Sequence, residues 1–478
     1  MNLDEYARYD GMGLAELVRT RQISSAELVE VAQRAIDAVN PELNAVIGRI
    51  EPVPASASSE APFAGLPFLI KDLVLHAEGV RCDMGSRLIN ETFVSPHDTE
   101  LMRRFRAAGV VTLGRTNTPE MGFSLTTEPV LYGPTRNPWD TGRSPGGSSG
   151  GSSAAVAAGI VPIAHANDGG GSIRIPAAFC GVVGLKPTRG RTPTGPEFGQ
   201  PLHGLGIEHV VTRTVRDCAA MLDAVQGPGV GDPFIIPPPA RRYVDEVGAP
   251  VGKLRVAVSS AGMMGVQPDG EMRDAVMRVA RQLETLGHDV TEASPRFDEG
   301  LFHKANLIYW CGFLAAGIAG VSQINGRTPS LDTLEATTLA CFRHGSELKL
   351  LDVEMADALT NMVCRSVAPF FNEYDVLLTP TITGPALPLG HIRGNDPSLD
   401  AQGWYDHLFE HAPYTALYNM TGQPAISLPL QENAEGLPLG IQFVARFGAE
   451  DILLRLAAQL EEAMPWTGRR PKVHVAAS

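Results

Sequence analysis

Short apolar runs alternate with helical patterns along most of this chain. Runs typical of buried strands occur at 68–70, 110–113, 161–164, 254–258, 376–378, 425–428 and 441–444. Between them, apolar residues recur at spacings of three and four, which predicts helices over 99–108, 152–159, 214–225, 269–286, 303–319, 350–372 and 449–463. Strands that alternate with helices predict an α/β fold, in which helices cover both faces of one sheet.

The beginning of the chain predicts a helical segment over 12–40. Ser24 and Glu27 form a capping-box pattern, and apolar residues then recur at helical spacing until Pro41, which is predicted to end the helix. Stretches rich in Pro, Gly and small residues lie at 51–62, 226–239 and 383–397. We interpret them as surface loops rather than domain linkers, because strand-like runs continue on both sides of the latter two.

Composition narrows the class of protein. The 478 residues are 44% hydrophobic and 19% charged, which is typical of a globular protein. The net charge of −14, without a cluster of Lys and Arg, disfavours nucleic acid as a partner. Six widely spaced cysteines without a C-x-x-C pair indicate reduced thiols rather than a disulfide framework. The acidic start of the chain has no apolar signal-peptide region, and the longest weakly polar run, 154–166, is too short to span a membrane. We therefore expect a cytoplasmic protein with no membrane partner.

Neither a metal nor a cofactor is predicted. The twelve histidines include no H-E-x-x-H pattern. His407 and His411 are four residues apart and can share a helix face, but the sequence shows no acidic partner that completes a site. The glycine clusters at 146–151 and 169–171 match neither of the two common phosphate-binding motifs.

Two short serine motifs are set aside. Residues 146–150 match the G-x-S-x-G nucleophile elbow, but the segment before them is polar and contains Pro, whereas that motif requires a strand. Residues 346–349 match S-x-x-K, but the S-D-N and K-T-G motifs that accompany it in serine acylating enzymes are missing. A solvated helix turn is the better interpretation of 346–349.

Ser172 and Lys71 are stronger candidates for chemistry. Three glycines precede Ser172, so that neighbouring N–H groups can converge on one oxyanion. The alternative is a Gly-rich turn with a capping serine. Lys71 ends an apolar run, and a buried lysine loses its charge readily enough to act as a base. The alternative is a Lys71 that pairs with Asp72. Local sequence does not place Lys71 beside Ser172.

Over nearly its whole length the chain resembles the amidase signature family. The resemblance is carried by GGSSGGSSAAVAAG and NDGGGSIRIPAAFCGVVGLKPTRGR, within a core signature at 144–191, and by GLPFLIKDL around Lys71. It implies a single domain over 1–478 with a large, twisted, mixed sheet. It also implies a Ser–cis-Ser–Lys triad, in which Ser172 is the nucleophile, Ser148 adjoins a cis peptide bond, and Lys71 is the base.

The resemblance assigns further residues around this triad. Oxyanion or substrate contacts are implied for Gly169, Gly170, Gly171, Gly122 and Phe123, and supporting roles for Asp168, Arg174 and Ser149. The N–H group of Ser172 itself is a further oxyanion donor. One position departs from the family pattern, because most members have Thr where this chain has Gly169. That change either opens the local pocket or alters the rigidity of the loop.

The implied activity is hydrolysis of amide C–N bonds through an acyl-enzyme. The NDGGGSIR variant and residues 204–217 look most like the branch that contains 6-aminohexanoate cyclic dimer hydrolases, so oligoamides, aryl amides and carbamates (urethanes) are expected substrate classes. Trp310 and Cys311 are pocket candidates, with core packing as the alternative. A glutaminase subunit of a tRNA-dependent amidotransferase and a non-catalytic scaffold are the alternative functions. We expect a monomer or a homodimer.

Overall fold

A computed structural model describes residues 1–52 and 60–477. Most of the predicted loop at 51–62 lies outside these described residues. The strands are β1 (Val46–Arg49), β2 (Pro67–Lys71), β3 (Val111–Thr116), β4 (Ile163–Asp168), β5 (Val183–Lys186), β6 (Ile207–Thr212), β7 (Arg255–Val258), β8 (Asp289–Glu292), β9 (Val376–Pro380), β10 (Ala425–Glu432) and β11 (Pro438–Ala445). The α-helices are α1 (Leu3–Arg8), α2 (Gly11–Arg19), α3 (Ser25–Leu43), α4 (Glu100–Ala108), α5 (Gly150–Ala157), α6 (Arg174–Cys180), α7 (Val215–Val225), α8 (Gly270–Thr285), α9 (Glu299–Asn325), α10 (Ala336–Glu347), α11 (Leu350–Val367), α12 (Phe370–Glu373), α13 (Ala401–Phe409), α14 (Leu417–Met420) and α15 (Glu450–Ala463).

The strands form one continuous mixed sheet in the order β1-β3-β2-β4-β6-β5-β10-β11-β9-β7-β8. β2 pairs in parallel with β3 and β4, and β7 pairs in parallel with β8 and β9. The middle of the sheet, from β4 to β11, is antiparallel. The predicted α/β fold with a large mixed sheet is therefore confirmed.

Each of the seven predicted strands corresponds to an observed strand, but β1, β5, β6 and β8 were not predicted. β8 is an edge strand whose residues are almost all exposed, so it lacks the apolar run that marks a buried strand. β6 is buried throughout, yet it carries Glu208 and His209, which interrupt the apolar pattern. β6 and β8 are thus strands in which pairing with neighbours, rather than an apolar run, decides the structure.

Three helix predictions need correction. Pro41 does not end α3, which continues to Leu43 and is capped by Asn44 in the left-handed conformation. A proline in the last turn is tolerated there because only a short stretch of helix follows it. α9 is longer at both ends than the predicted 303–319, and the helix predicted over 350–372 is divided into α11 and α12. The helices that were not predicted include α6, α10, α13 and α14.

α9 is long and apolar enough to cross a membrane by length and composition alone. In the fold it packs against α10 and α11, and Phe302, Cys311 and Ile318 along its length are fully buried. A core helix passes the same test of length and composition as a membrane span. Packing in the core accounts for the apolar character of its buried part, which is 44% of the apolar window.

The sheet and two short helices bring together the segments that carry the candidate residues. Because β2 and β4 are parallel neighbours, their carboxyl ends meet at one edge, where Lys71 ends β2 and Asp168 ends β4. α5 begins directly after Ser149, and α6 begins two residues after Ser172. Open α/β sheets place their functional groups at this kind of edge.

Candidate active site

Lys71 is completely buried and forms hydrogen bonds with three side chains. Its Nζ lies 2.7 Å from Ser148 Oγ, 3.0 Å from Ser149 Oγ and 2.5 Å from Asn167 Oδ1. The alternative pairing with Asp72 is not observed, because Asp72 instead forms an ion pair with Arg115. The fold therefore directs Lys71 towards the serine-rich segment.

The surroundings of Lys71 favour its neutral form. Burial lowers the pKa of Lys71 to about 7, although the negative charges of Glu208 and Asp168 act in the opposite direction. Desolvation penalises an ammonium group because a low-dielectric interior does not replace its hydration. At neutral pH a large fraction of Lys71 is therefore an amine that can accept a proton.

Ser148 and Ser149 lie at the start of α5. The peptide bond between Gly147 and Ser148 is cis, as the family resemblance implies. Ser149 Oγ receives a hydrogen bond from the Asn167 N–H at 3.3 Å and lies 3.2 Å from the Asn167 carbonyl oxygen. Ser149 therefore ties the start of α5 to the end of β4, beside Lys71.

Ser172 faces a small cavity of about 40 Å³ and is 8% exposed. The Ser149 N–H donates to the Ser172 carbonyl at 3.2 Å, which links the two serine-bearing loops. No hydrogen bond joins Ser172 Oγ to Ser148 Oγ among the described residues. Catalytic hydrogen bonds are often loose in the free enzyme and tighten when substrate binds.

The backbone N–H groups of the glycine run and of Ser172 differ in whether the protein already supplies a hydrogen-bond acceptor. The Gly171 N–H donates to Asp168 Oδ1 at 2.6 Å, so the expected role of Gly171 as an oxyanion donor needs correction. In the part of the chain that the structure describes, the N–H groups of Gly169, Gly170 and Ser172 have no hydrogen-bond partner. These three donors remain available to a ligand.

Asp168 and Arg174 hold this loop through a buried ion pair. Arg174 donates to both carboxylate oxygens of Asp168 at 2.9 Å, and neither residue is exposed. Burial raises the pKa of Asp168, but the charge and hydrogen bonds of Arg174 outweigh it and hold that pKa well below its usual range. Arg174 also donates to Asn419 Oδ1 and to Gln442 Oε1, so its remaining donors are used. A bidentate, fully hydrogen-bonded pair of this kind fixes geometry.

Gly122, Phe123 and Trp310 form one wall of the cavity. A Cβ atom at Gly122 would lie 2.5 Å from Leu73 Cδ2 and 3.4 Å from Ser148 Oγ, and the φ angle of Gly122 is +73°. Phe123 stacks on Trp310, with ring centroids 4.3 Å apart and planes 8° from parallel. Trp310 lines the cavity, whereas Cys311 lies buried in the core and does not line it.

The structure explains the departure from the family pattern at Gly169. A Cβ atom there would lie 3.1 Å from the Trp310 indole and 2.9 Å from Leu202 Cδ2. The missing side chain at 169 thus makes room for Trp310. Gly170 is different, because a Cβ atom there would meet only Ala416 and Trp310, at 3.8 and 3.9 Å.

A second, larger cavity lies next to the first. It measures about 530 Å³ and is lined mainly by apolar residues, among them Leu73, Met121, Phe313, Leu314 and Val321. Leu73, which lines the larger cavity, packs against Gly122, which lines the first. A volume of this size suits the apolar part of a small ligand.

Sequence reasoning missed three polar residues beside Lys71. Asn167 accepts from Lys71 and donates to the Leu73 carbonyl at 3.0 Å. His165 Nε2 lies 2.7 Å from Glu208, and His165 Nδ1 accepts from the Lys71 N–H at 3.3 Å. The alternation of His165 and Asn167 along β4 is a sequence signal that places both on one face of the strand. Nothing in the sequence indicates that Glu208, on β6, joins them.

Of the two serine motifs set aside from the sequence, residues 146–150 contain Ser148 and so lie at this centre, whereas residues 346–349 lie away from it. Ser346 is exposed in the last turn of α10, where its Oγ donates to the Phe342 carbonyl. Within residues 1–52 and 60–477, the one group of His, Cys, Asp and Glu arranged to hold a metal ion consists of His407, Glu410 and His411. None of these three residues contacts the serines or Lys71.

Comparison with known proteins gives one consistent result. The sequence model of the Amidase family matches residues 27–454. The 6-aminohexanoate-cyclic-dimer hydrolase of Paenarthrobacter ureafaciens is 39% identical over 97% of this chain and 96% of its own length. The solved structure of a 6-aminohexanoate cyclic dimer hydrolase with substrate has a TM-score of 0.88 and 37% identity, covering 98% of this chain and 99% of its own. A bacterial aryl acylamidase structure has a TM-score of 0.86 and 26% identity, covering 98% of both chains.

The family match spans well over half of the chain, and the relatives align over nearly their full length. Together with the mixed sheet, they confirm the resemblance inferred from the serine-rich signature. The chain belongs to the amidase signature family and hydrolyses amide C–N bonds.

Proposed function

We propose that Lys71, Ser148 and Ser172 form the catalytic triad of this amidase, with Ser172 as nucleophile. The hydrogen bond of 2.7 Å between buried Lys71 Nζ and Ser148 Oγ is the observation that carries the proposal. A serine hydroxyl needs an adjacent base to attack a carbonyl. The lowered pKa of Lys71, about 7, suits that base.

The mechanism follows from these positions. Neutral Lys71 takes the proton of Ser148 as Ser148 takes the proton of Ser172, and Ser172 Oγ then forms a bond to the amide carbonyl carbon. The N–H groups of Gly169, Gly170 and Ser172 stabilise the oxyanion, and each such donor is worth ~10²–10³ in rate. Return of the proton to the amine nitrogen allows the C–N bond to break. Water then attacks the acyl-enzyme, and the same residues return Ser172 to its free form.

The residues around the triad have supporting roles. Ser149 and Asn167 hold the Lys71 amine towards Ser148, since both accept hydrogen bonds from it. Asp168 and Arg174 hold the loop that presents the free N–H groups. Because none of these roles needs a metal or cofactor, the proposed cycle uses amino-acid side chains, backbone and water alone.

We propose that the substrate is a small amide or carbamate with an apolar group. The supporting observation is the 530 Å³ cavity lined by Leu73, Met121, Phe313 and other apolar side chains. The aromatic wall of Phe123 and Trp310 suits a flat or extended chain beside the reacting carbonyl. The related hydrolase that acts on a 6-aminohexanoate cyclic dimer favours oligoamides within this class. A glutaminase role is less favoured, because the charged amino and carboxylate groups of glutamine do not suit an apolar cavity.

We further propose that one domain over 1–478 acts as a monomer or homodimer in the cytoplasm, without nucleic-acid or membrane partners. The continuous sheet supports a single domain, and the net charge of −14 disfavours binding to nucleic acid. Size-exclusion chromatography with light scattering measures the oligomeric state directly.

The triad is tested by labelling and substitution. A fluorophosphonate should label the protein once, at Ser172, and Ser172→Ala should lose at least ~10³-fold in kcat while keeping its fold. Ser153→Ala is the matched control, because Ser153 is a buried serine of α5 whose Oγ has no hydrogen-bond partner among the described residues. Unchanged turnover in Ser172→Ala would show that the nucleophile is another residue.

The substrate class is tested with a panel of aryl amides, linear and cyclic oligoamides, carbamates and glutamine. The apolar cavity predicts kcat/KM to rise as the apolar part of the substrate lengthens, by about fourfold for each buried methylene group, from ~0.8 kcal/mol of transfer free energy. Preference for glutamine over every apolar amide would support the amidotransferase subunit instead. Mass spectrometry of the products identifies which bond is cut.

A further inference from the structure

Three histidines and a glutamate meet at the end of α13. His407 lies in the last turn of the helix, Glu410 caps it, and His411 follows. His391 reaches the same place from the loop between β9 and α13. The expectation that His407 and His411 have no acidic partner needs correction, because the fold brings Glu410 to them. It also supplies a third imidazole, that of His391.

The distances between these groups are those of metal ligands. His391 Nε2 lies 3.2 Å from His411 Nε2. Tetrahedral coordination with Zn–N bonds of ~2.0–2.1 Å places two nitrogen ligands about 3.4 Å apart. One ligand atom each from His407, Glu410 and His411 lie within 4.8 Å of one another.

The ring positions agree with a shared centre. The imidazole centroids of His391 and His411 are 4.9 Å apart, those of His407 and His411 are 5.7 Å apart, and those of His391 and His407 are 6.5 Å apart. Three imidazoles bound to one tetrahedral metal ion have centroids about 5 Å apart. The spacing of the His391 and His411 rings matches this value, and the His407 ring lies farther from both.

We propose that His391, His407 and His411, with the carboxylate of Glu410, form a Zn²⁺ site that joins the 383–397 loop to α13. Imidazole and carboxylate are ligands that Zn²⁺ accepts in tetrahedral sites. Glu410 either binds the ion directly or, through its contact of 3.1 Å with His407 Nδ1, orients that ring. This site is separate from the proposed hydrolytic mechanism.

The contact between His391 and His411 favours a metal ion over protons at this place. Two neutral rings that face each other through Nε2 can share only one proton, whereas a metal ion accepts a lone pair from each.

The site formed by His391, His407, Glu410 and His411 lies beside the cavity that Ser172 faces. Leu408 and Phe409, next to His407 on α13, line the cavity of Ser172. Trp404, one turn earlier, donates from Nε1 to the Phe123 carbonyl at 3.2 Å. A metal ion that fixes the end of α13 against the loop would therefore stabilise one wall of the substrate cavity.

Isothermal titration of the full, chelator-treated protein with Zn²⁺ tests the proposal. One Zn²⁺ ion should bind per chain, and His391→Asn, His407→Asn and His411→Asn should each weaken binding by more than about tenfold. His344→Asn is the matched control, because His344 is an exposed histidine on α10. Co²⁺ in place of Zn²⁺ should give the intense visible absorption of a tetrahedral site, and the three variants should lose it.

Two outcomes would overturn the proposal. In the first, the wild-type chain shows no saturable Zn²⁺ binding. In the second, the His407→Asn and His344→Asn variants bind Zn²⁺ equally well. Circular dichroism in the presence of chelator shows whether each variant is folded. The Zn²⁺ affinity of any one folded histidine variant is enough to test the proposal. Labelling of Ser172 by a fluorophosphonate in chelator separates this proposal from that of the triad, since loss of Zn²⁺ should leave the labelling intact.

Discussion

The titration of Lys71 should control both the rate and the stability of this enzyme. Burial lowers the pKa of Lys71 from 10.5 to about 7, and only the neutral amine accepts a proton from Ser148. With that pKa, roughly 9% of Lys71 is neutral at pH 6 and roughly 91% at pH 8. We therefore expect kcat/KM to rise about tenfold from pH 6 to pH 8 and then to level off.

The same shift makes stability depend on pH. Between about pH 7 and pH 10.5 the unfolded chain carries a protonated Lys71 while the folded chain carries the neutral amine. The unfolded state then binds more protons, so the free energy of unfolding increases with pH in this window. Below about pH 7 both states are protonated, the contribution of Lys71 is constant, and the full penalty for burying the charge is present.

The size of this effect follows from the shift. A difference of ~3.5 pKa units corresponds to roughly 5 kcal/mol, of which ~3–4 kcal/mol is recovered between pH 7 and pH 10. Lys71 is completely buried, so solvent screening does not reduce this contribution to the free energy of unfolding. Lys71→Met removes the titrating group while keeping a side chain of similar length.

Denaturant unfolding of both proteins at pH 7 and at pH 10 measures the difference. The free energy of unfolding should rise between these pH values by ~3–4 kcal/mol more in the wild type than in Lys71→Met. All other titrating groups are shared, so they cancel in the comparison. Equal pH dependence of the two proteins, or a wild-type rate that is flat from pH 6 to pH 8, would refute the assignment of Lys71 as a buried base.

Two further predictions test the loop that presents the free N–H groups. Asp168→Asn leaves the buried Arg174 without its counter-charge, so the free energy of unfolding measured with denaturant should fall by ~3–5 kcal/mol. The control Asp140→Asn, in a partly exposed pair with Arg143, should lower it by less than about 1 kcal/mol. Similar losses in both variants would contradict the role of the buried pair. Gly169→Ala should displace Trp310 and raise KM several-fold, while Gly170→Ala, whose Cβ meets nothing closer than 3.8 Å, should change KM little. Steady-state kinetics measures both glycine variants, and an unchanged KM in Gly169→Ala would show that Trp310 does not depend on the missing side chain.

Much of the fold could be predicted because its buried strands are apolar. The runs that became β2, β4 and β11 mark central strands, which bury both faces and therefore need no alternation. The edge strand β8 and the polar-containing β6 could not be predicted, because pairing with neighbours rather than local hydrophobicity makes them strands. Likewise, nothing local predicts that α3 continues past Pro41.

The amino-acid sequence by itself determined the chemistry that is available. The glycines before Ser172, the serines at the start of α5 and a lysine at the end of an apolar run are local features, and together they specify the family. The sequence also showed glycine at position 169, but not that this glycine makes room for Trp310.

Only the tertiary structure decided how these groups act on one another. Parallel pairing of β2 and β4 brings Lys71 to Ser148 and Asn167, and burial there, which is a property of the whole fold, sets the pKa of Lys71. The same holds for Gly171, whose N–H the fold assigns to Asp168. Distances and dielectric surroundings between residues far apart in sequence arise from packing, and so no local pattern encodes them.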